Sequence, residues 1–231
     1  GYKSEIGNMH ENIEYYVSKY NNVLDSMSKY IYSSSYKNYN IKTCEIAQAC
    51  GRISKSTNLI VSISGGVDSM VCLYLARHCF PDADIKAISI NYANRPEQSV
   101  EIDMVNYICS ALKVKHYVRV ISEIQRVRDS HREFYETVTR EIRFASYRNV
   151  IGDNTNVQVI LGHNQDDTLE NIFSNIKKGI NYDNLFGMEH NLVEKDVCVC
   201  RPLLNIAKKD IIKFAHEHNI PYTYDSTPSW S

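Results

Sequence analysis

From residue 58 onward, short apolar runs alternate with longer amphipathic stretches, and this alternation restricts the chain to few folds. The first run, Leu59-Ile60-Val61-Ser62-Ile63, is rich in β-forming residues and ends near a pair of glycines. Further strand-like runs lie at residues 85–90, 116–120 and 157–161, and helical patterns lie at residues 70–75, 100–112 and 137–150. Strand, helix and strand at this spacing indicate βαβ units. We expect an α/β fold with a mainly parallel sheet of about five strands flanked by helices.

Composition excludes several classes of protein. The chain has 231 residues, 43% of them hydrophobic, which is enough for a globular domain with a buried core. Its 26 basic and 27 acidic side chains nearly cancel, so any contact with nucleic acid must be a local patch. No apolar run approaches the roughly 20 residues of a membrane helix, and no secretory leader is visible. We expect a cytoplasmic protein.

Residues 1–56 differ from the rest of the chain, because they are rich in Asn, Tyr, Ser and Lys. Apolar side chains recur among them at helical spacing, at Ile13, Val17, Tyr20 and Leu24. We predict a helical N-terminal extension over residues 1–56 and a separate α/β domain over residues 57–231.

The seven cysteines are odd in number and irregularly spaced, which does not suggest a disulfide framework. None of them shows the Cys-x-x-Cys or Cys-His spacing of a zinc site. Cys198 and Cys200 would point the same way on a strand, and we expect them to be small buried side chains rather than metal ligands. A reducing compartment fits this pattern.

The turn after the first strand reads Ser64-Gly65-Gly66-Val67-Asp68-Ser69. Glycine allows a close backbone approach and positive φ angles, so the N–H groups of the turn and of the helix start can converge on an anion. Ser64 and Ser69 add hydroxyl donors, and Asp68 can hold a Mg²⁺ ion that bridges phosphates. The alternative is a plain turn in which Asp68 or Ser69 caps the helix. The complete hexapeptide after an apolar strand favours phosphate binding.

A second polar segment, residues 161–171, follows the fourth strand. On a helix its Asp167 and Glu170 would share one face. Two carboxylates there can hold an ammonium group or a metal ion. The alternative is that acidic residues simply favour the N-terminus of a helix.

The hexapeptide resembles the SGGxDS loop of the PP-loop ATP pyrophosphatases, and no Lys follows its glycines as in kinases and GTPases. Further segments resemble those of tRNA(Ile)-lysidine synthetases, in the same order along the chain. They are residues 139–144 (TREIRF), 162–170 (GHNQDDTLE), 176–179 (IKKG), 185–188 (LFGM), 201–204 (RPLL) and 224–227 (YDST). This resemblance identifies residues 57–231 as a PP-loop catalytic domain.

The resemblance implies a ligase that adenylates the wobble cytidine of an isoleucine tRNA and lets lysine displace AMP. The implied cofactors are ATP and Mg²⁺, the implied partners are tRNA and lysine, and a homodimer is left open. In this picture Asp68 holds Mg²⁺, Arg143 stabilises charge on the α-phosphate, and Asp167 with Glu170 orients the lysine or shares the metal. The implied ATP-binding residues are Ser64, Gly65, Gly66, Val67, Asp68, Ser69, Ile90 and His163.

Two alternatives stay open: a tRNA thiolase of the same superfamily, and a catalytically silent module that binds nucleotide or tRNA. Thiolases typically carry Cys-x-x-Cys beside the arginine helix, and residues 136–148 contain no cysteine. The presence of Asp68, Arg143, Asp167 and Glu170 argues against a catalytically silent module. Basic residues would form a phosphate track for RNA only if they share a face. They are Arg126, Arg128, Arg132, Lys177, Lys178, Lys208 and Lys209.

Overall fold

The computed structural model describes residues 49–53, 58–93, 97–122, 132–177, 190–218 and 220–223. Its strands are β1 (Asn58–Ser62), β2 (Asp84–Asn91), β3 (Lys115–Val120), β4 (Val157–Ile160), β5 (Asn191–Glu194) and β6 (Val197–Cys200). Its α-helices are α1 (Val67–Cys79), α2 (Glu97–Ala111), α3 (Arg132–Ile151), α4 (Gln165–Lys177) and α5 (Lys208–Glu217), and a short 3-10 helix, Ala49–Arg52, precedes β1.

The strands of the described ranges form one sheet in the order β3-β2-β1-β4-β6-β5. All neighbouring pairs are parallel except β5 and β6, which are antiparallel. The predicted α/β fold with a mainly parallel sheet is therefore confirmed, with six strands instead of about five. Because β1 lies between β2 and β4, the strand order reverses at β1, and a crevice opens there at the carboxyl ends of the strands.

The apolar side chains of β1 are buried on both faces of the sheet. Leu59 and Val61 pack in the cluster that also contains core residues of α1, α2 and α5, whereas Ile60 packs on the opposite face with Phe144 and Tyr147 of α3. Alternate residues of a strand point to opposite faces, so the three central positions of β1 all need apolar residues. This explains the continuous apolar run in the sequence.

The sixth strand arises from a tight hairpin that the sequence pattern did not reveal. Lys195 and Asp196 connect β5 to β6 with φ angles of +47° and +63°. Two-residue hairpin turns with positive φ at both positions, of type I′, usually contain glycine, which is absent here. The turn therefore carries no strong signal in the sequence.

The cysteine predictions are corrected in part. Cys200 is fully buried, as expected, but Cys198 is exposed. The solvent-facing side of the short strand β6 accepts the Cys198 side chain. Cys79 is disulfide-bonded, and Cys72, Cys109, Cys198 and Cys200 are free thiols.

The predicted N-terminal extension, residues 1–56, lies outside the described residues except for 49–53. Within that piece Ala49 and Ile53 are buried in the core. The segments 178–189 and 224–231, which carry parts of three resemblance motifs, also lie outside the described residues. No helix in the described part of the chain is long and apolar enough to span a membrane.

Candidate active site

The turn between β1 and α1 closes around the hydroxyl groups of two serines. The Oγ of Ser69 accepts a hydrogen bond from the backbone N–H of Ser64 at 3.1 Å and donates one to the carbonyl of Gly66 at 3.1 Å. The Oγ of Ser64 accepts from the N–H of Gly66 at 3.2 Å. Gly65 has a φ of +90°, which favours glycine, and its carbonyl accepts from the N–H of Thr223 at 2.8 Å. The loop is therefore held in shape by hydrogen bonds among its own residues and by one from Thr223.

The end of β4 lies directly against the start of α1. A Cβ atom added to Gly162 would lie 3.0 Å from the backbone nitrogen of Ser69 and 3.1 Å from the Cβ of Asp68. Only glycine allows the two segments to approach this closely. The contact places the residues that follow β4 beside the loop that follows β1.

The Asp68 carboxylate points into this junction. Its Oδ2 lies 2.6 Å from the Nζ of Lys208. Burial raises the pKa of Asp68, the contacts with Lys208 and Asn164 lower it, and the charge of Asp167 raises it further. Its Oδ1 is buried and has no hydrogen-bond partner among the described residues.

This orphaned oxygen fits a magnesium ion. Mg²⁺ is usually held by one or two carboxylates and completes its shell with phosphate oxygens and water. No group of three or more His, Cys, Asp or Glu side chains in the described ranges is placed to hold a metal by itself. The site therefore suits an ion that arrives with phosphates and takes Asp68 as its protein ligand.

A cavity of about 210 Å³ opens beside the loop at the carboxyl ends of β1, β2 and β4. Its lining consists of Ser62, Ile63, Ser64, Gly66, Asp68, Ser69, Ile90, Tyr92, Arg143, Leu161, Gly162 and His163. The structure thus brings seven of the predicted site residues to one cavity. Gly65 and Val67 belong to the loop but not to this lining, and the Val67 side chain is buried in the core.

Helix α3 supplies the arginine of the cavity. The hydroxyl of Tyr147 is 2.7 Å from the Oγ of Ser62, and this hydrogen bond ties α3 to the end of β1. Arg143 stands one turn earlier, and its Nε is buried without a hydrogen-bond partner in the described part of the chain. A guanidinium whose Nε donor is buried and unused is suited to an anionic ligand.

Behind the cavity lies a cluster of charged residues that the sequence reasoning missed. The Nε of Arg201 donates to the Nδ1 of His163 at 3.1 Å, and another nitrogen of Arg201 donates to Glu194 at 2.9 Å. Arg140 makes an ion pair with the same carboxylate. Burial, together with the charges of these arginines and Arg143, lowers the pKa of His163 to about 4. The RPLL motif marked Arg201, but nothing in its spacing indicated His163 as the partner.

Asp167 and Glu170 do not line the cavity. The Oδ1 of Asn164 accepts from the backbone N–H groups of Asp166 and Asp167 at 2.8 and 3.1 Å, and Asp167 Oδ2 accepts from the N–H of Asn164 at 2.9 Å. This reciprocal pair caps the N-terminus of α4. Glu170 is exposed. The capping alternative explains the position of Asp167, and the role of the pair toward lysine stays a prediction.

Residues 36–229 match the family model of the PP-loop domain. The chain belongs to the PP-loop family. The predicted family is thereby confirmed, and the predicted cofactors, ATP and Mg²⁺, are those of this family.

Curated relatives of this PP-loop protein carry the name that the resemblance suggested. The chain is 26% identical over 191 residues to a tRNA(Ile)-lysidine synthase of Orientia tsutsugamushi, covering 81% of this chain and 42% of that protein. It is 25% identical over 175 residues to a tRNA(Ile)-lysidine synthase of Chlamydia muridarum, covering 76% of this chain and 53% of that protein. The chain therefore spans about half the length of these relatives.

A solved structure of a U34-tRNA thiolase from Methanococcus maripaludis, described with its [4Fe-4S] cluster, shares the fold at a TM-score of 0.62 and 20% identity. The alignment covers 82% of this chain and 69% of that one. A phosphoadenylyl-sulfate reductase from Candida auris aligns at a TM-score of 0.51 and 13% identity, covering 85% and 94%. These likenesses show that the PP-loop fold is shared.

Proposed function

We propose that this PP-loop protein is an ATP-dependent ligase that adenylates the wobble cytidine of a tRNA and joins lysine to it, as its lysidine synthase relatives are named for doing. One observation carries the proposal: the phosphate loop, the Asp68 carboxylate, Arg143 and His163 meet at one cavity. The relatives' names supply the substrate class, and the residues at the cavity support an adenylation step.

Each part of the cavity has a role in adenylation. The N–H groups of the loop and of the α1 N-terminus hold the departing pyrophosphate, assisted by Ser64 and Ser69. Asp68 offers its unpartnered Oδ1 to Mg²⁺, which when bound neutralises charge on the phosphates. Arg143 directs its unused donor at the α-phosphate, where charge develops as the cytidine oxygen attacks.

The second half of the reaction needs a site for lysine. Asp167 and Glu170 lie one turn apart near the start of α4, beside the junction that holds Asp68. Asp167 is close enough to Asp68 to raise its pKa, so Asp167 serves the metal side of the site. Glu170 is exposed, and we assign the lysine ammonium to it.

The thiolase alternative would be supported by a metal on Cys198 and Cys200. Burial raises the pKa of Cys200 to about 12, and its Sγ donates to the carbonyl of Arg52 at 3.4 Å. Metals bind the thiolate, and burial disfavours that form of Cys200. Cys198 is exposed, so the two side chains do not share an environment. The two cysteines of β6 therefore give the thiolase alternative no support.

The deciding experiment incubates the protein with an isoleucine tRNA transcript, ATP, Mg²⁺ and isotope-labelled lysine, followed by mass spectrometry of the nucleosides. The proposal expects labelled lysidine in an ATP-dependent manner. Arg143→Ala should abolish it, whereas Arg148→Ala, on the same helix but bonded to the carbonyl of Lys195, should not. A thiolated nucleoside with a sulfur donor would favour the thiolase. Absence of ATP–pyrophosphate exchange would indicate a silent module.

A further inference from the structure

His163 presents a different edge of its imidazole ring to each of two environments. Its Nδ1 lies 3.1 Å from the Nε of Arg201. His163 lines the nucleotide cavity and Arg201 does not. The edge of the ring that points away from Arg201 is therefore the one available to a ligand in the cavity. The two ring nitrogens therefore have separate tasks.

The chemistry of arginine decides which ring nitrogen carries the proton. A guanidinium has only donors and stays protonated in proteins, so a nitrogen that faces its Nε–H must accept. The Nδ1 of His163 is therefore unprotonated, and a neutral ring must then carry its hydrogen on Nε2. We propose that Arg201 is a positioning residue that locks His163 as a neutral Nε2–H hydrogen-bond donor to the substrate, and that His163 is not the base of the reaction.

Several contacts hold Arg201 in place beside His163. Arg201 is buried, at 6% exposure, donates to Glu194 at 2.9 Å, and its backbone N–H is bonded to the carbonyl of His190. Arg140 and Arg143 of α3 add positive charge beside the ring, and Glu194 is the carboxylate that partly balances them. This surplus of positive charge, together with burial, keeps the ring neutral and agrees with the lowered pKa of His163.

A neutral ring of this tautomer has a restricted chemistry. Its Nε2–H can donate to an oxygen of the α-phosphate or to a carbonyl oxygen of the base, but it has no free nitrogen to take a proton from an incoming amine. Only the identity of the acceptor rests on the proposed function. The tautomer follows from the contact with Arg201 alone.

The tautomer is measured directly by long-range proton–nitrogen correlation NMR of protein labelled with ¹⁵N-histidine, the His163 signals being those that vanish in His163→Gln. We expect protonated Nε2 and unprotonated Nδ1 at neutral pH, unchanged at pH values where ordinary histidines become charged. A ring protonated on Nδ1, or a charged ring at neutral pH, would overturn the proposal. This measurement requires no activity, so it stands even if the proposed reaction fails.

Two sets of variants test the consequences. Arg201→Lys keeps the charge but removes the Nε donor, and should give a mixture of tautomers. It should also add a second acid limb to the pH profile of ATP–pyrophosphate exchange, in the range where ordinary histidines become charged, beside the limb that comes from Asp68. Glutamine places an amide N–H near the Nε2 position and asparagine does not, so His163→Gln should retain exchange while His163→Asn loses about a hundredfold. Equal exchange in both would overturn the donor role. Exchange absent from the wild type would refute the proposed function and leave the tautomer result intact.

Discussion

The Nζ of Lys208 lies 2.6 Å from the Oδ2 of Asp68, so the first residue of α5 neutralises the carboxylate of the phosphate loop from 140 positions away in the sequence. Burial pushes the pKa of Asp68 up, and Lys208 opposes that shift through its hydrogen bond and its charge. Lys208 therefore helps to keep Asp68 ionised and able to hold a cation. It leaves Oδ1 available.

Removing Lys208 should shift the pH dependence of adenylation. In Lys208→Ala the pKa of Asp68 rises, so the carboxylate becomes protonated at higher pH and the acid limb of ATP–pyrophosphate exchange moves upward. Exchange measured across the acidic and neutral range tests this. Lys209→Ala removes the exposed neighbour and is the matched control. Acid limbs that coincide in the two variants would show that Lys208 does not act through Asp68.

Asp68→Asn should abolish ATP–pyrophosphate exchange without lowering the free energy of unfolding. Folding raises the pKa of Asp68, so the folded protein binds a proton at Asp68 more tightly than the unfolded chain does. The stability that this protonation contributes is present at low pH and is lost as the pH rises through the pKa of Asp68 in the folded protein. Removing the charge should therefore leave the free energy of unfolding at neutral pH unchanged or higher, while exchange is abolished because Mg²⁺ loses its carboxylate. Urea unfolding and exchange at saturating Mg²⁺ are the measurements, with the exposed Asp82→Asn as control. Normal exchange in Asp68→Asn would remove Asp68 from the site.

Gly162→Ala should displace the loop from its neighbour. The new methyl group would meet backbone atoms of Asp68 and Ser69 at about 3 Å, and backbone cannot move aside as a flexible side chain can. We expect a loss of ~1–3 kcal/mol in the free energy of unfolding, together with weaker ATP binding. Gly51→Ala is the control, because a methyl group added there would have no described atom within 4 Å beyond its chain neighbours. Equal stability of the two variants would contradict the close contact.

Replacing either cysteine of β6 should leave activity intact, but the two replacements should change the free energy of unfolding by different amounts. Cys200→Ala removes a fully buried thiol and its hydrogen bond to Arg52, which should cost ~1–2 kcal/mol. Cys198→Ala changes an exposed side chain and should cost little. Lysine incorporation should persist in the folded double variant. Loss of a bound metal, measured by elemental analysis alongside activity, would instead favour the thiolase.

Glu170→Gln should weaken lysine capture while sparing adenylation. The expected loss is ~1.5–3 kcal/mol, the contribution of a hydrogen bond to a charged group. Pyrophosphate release and lysine incorporation are measured separately, and Glu133→Gln, which alters an exposed glutamate of α3, is the control. If release and incorporation fall together, Glu170 belongs to the nucleotide and metal site and the lysine assignment is wrong.

Local interactions made the phosphate loop predictable from the sequence. The side-chain hydrogen bonds that shape it join residues at most five positions apart, such as Ser64 and Ser69, whereas the backbone hydrogen bond from Thr223 is long-range. The apolar run of β1 predicts a buried strand for a similar reason, because burial on both faces demands apolar residues throughout. The α/β fold and the nucleotide loop could thus be predicted before the structure.

The β5–β6 hairpin was not predictable in this way, because contacts from α3 support its turn. Glu141 makes an ion pair with the Lys195 side chain, and Arg148 donates to the Lys195 carbonyl at 2.9 Å. These contacts are made by Lys195, which has a positive φ at a position where glycine is usually found. The same hairpin carries Glu194, so the charged cluster behind the cavity was missed with it.

The sequence by itself determined the alternation of strands and helices, the phosphate loop and the types of charged residue that surround it. Only the tertiary structure decided the partners of those charges: Lys208 for Asp68, and Arg201 for His163. The physical reason is that a long charged side chain can reach any opposite charge or acceptor within a few ångströms. Which groups come that close depends on the order of strands in the sheet, where β1, β4 and β6 are neighbours.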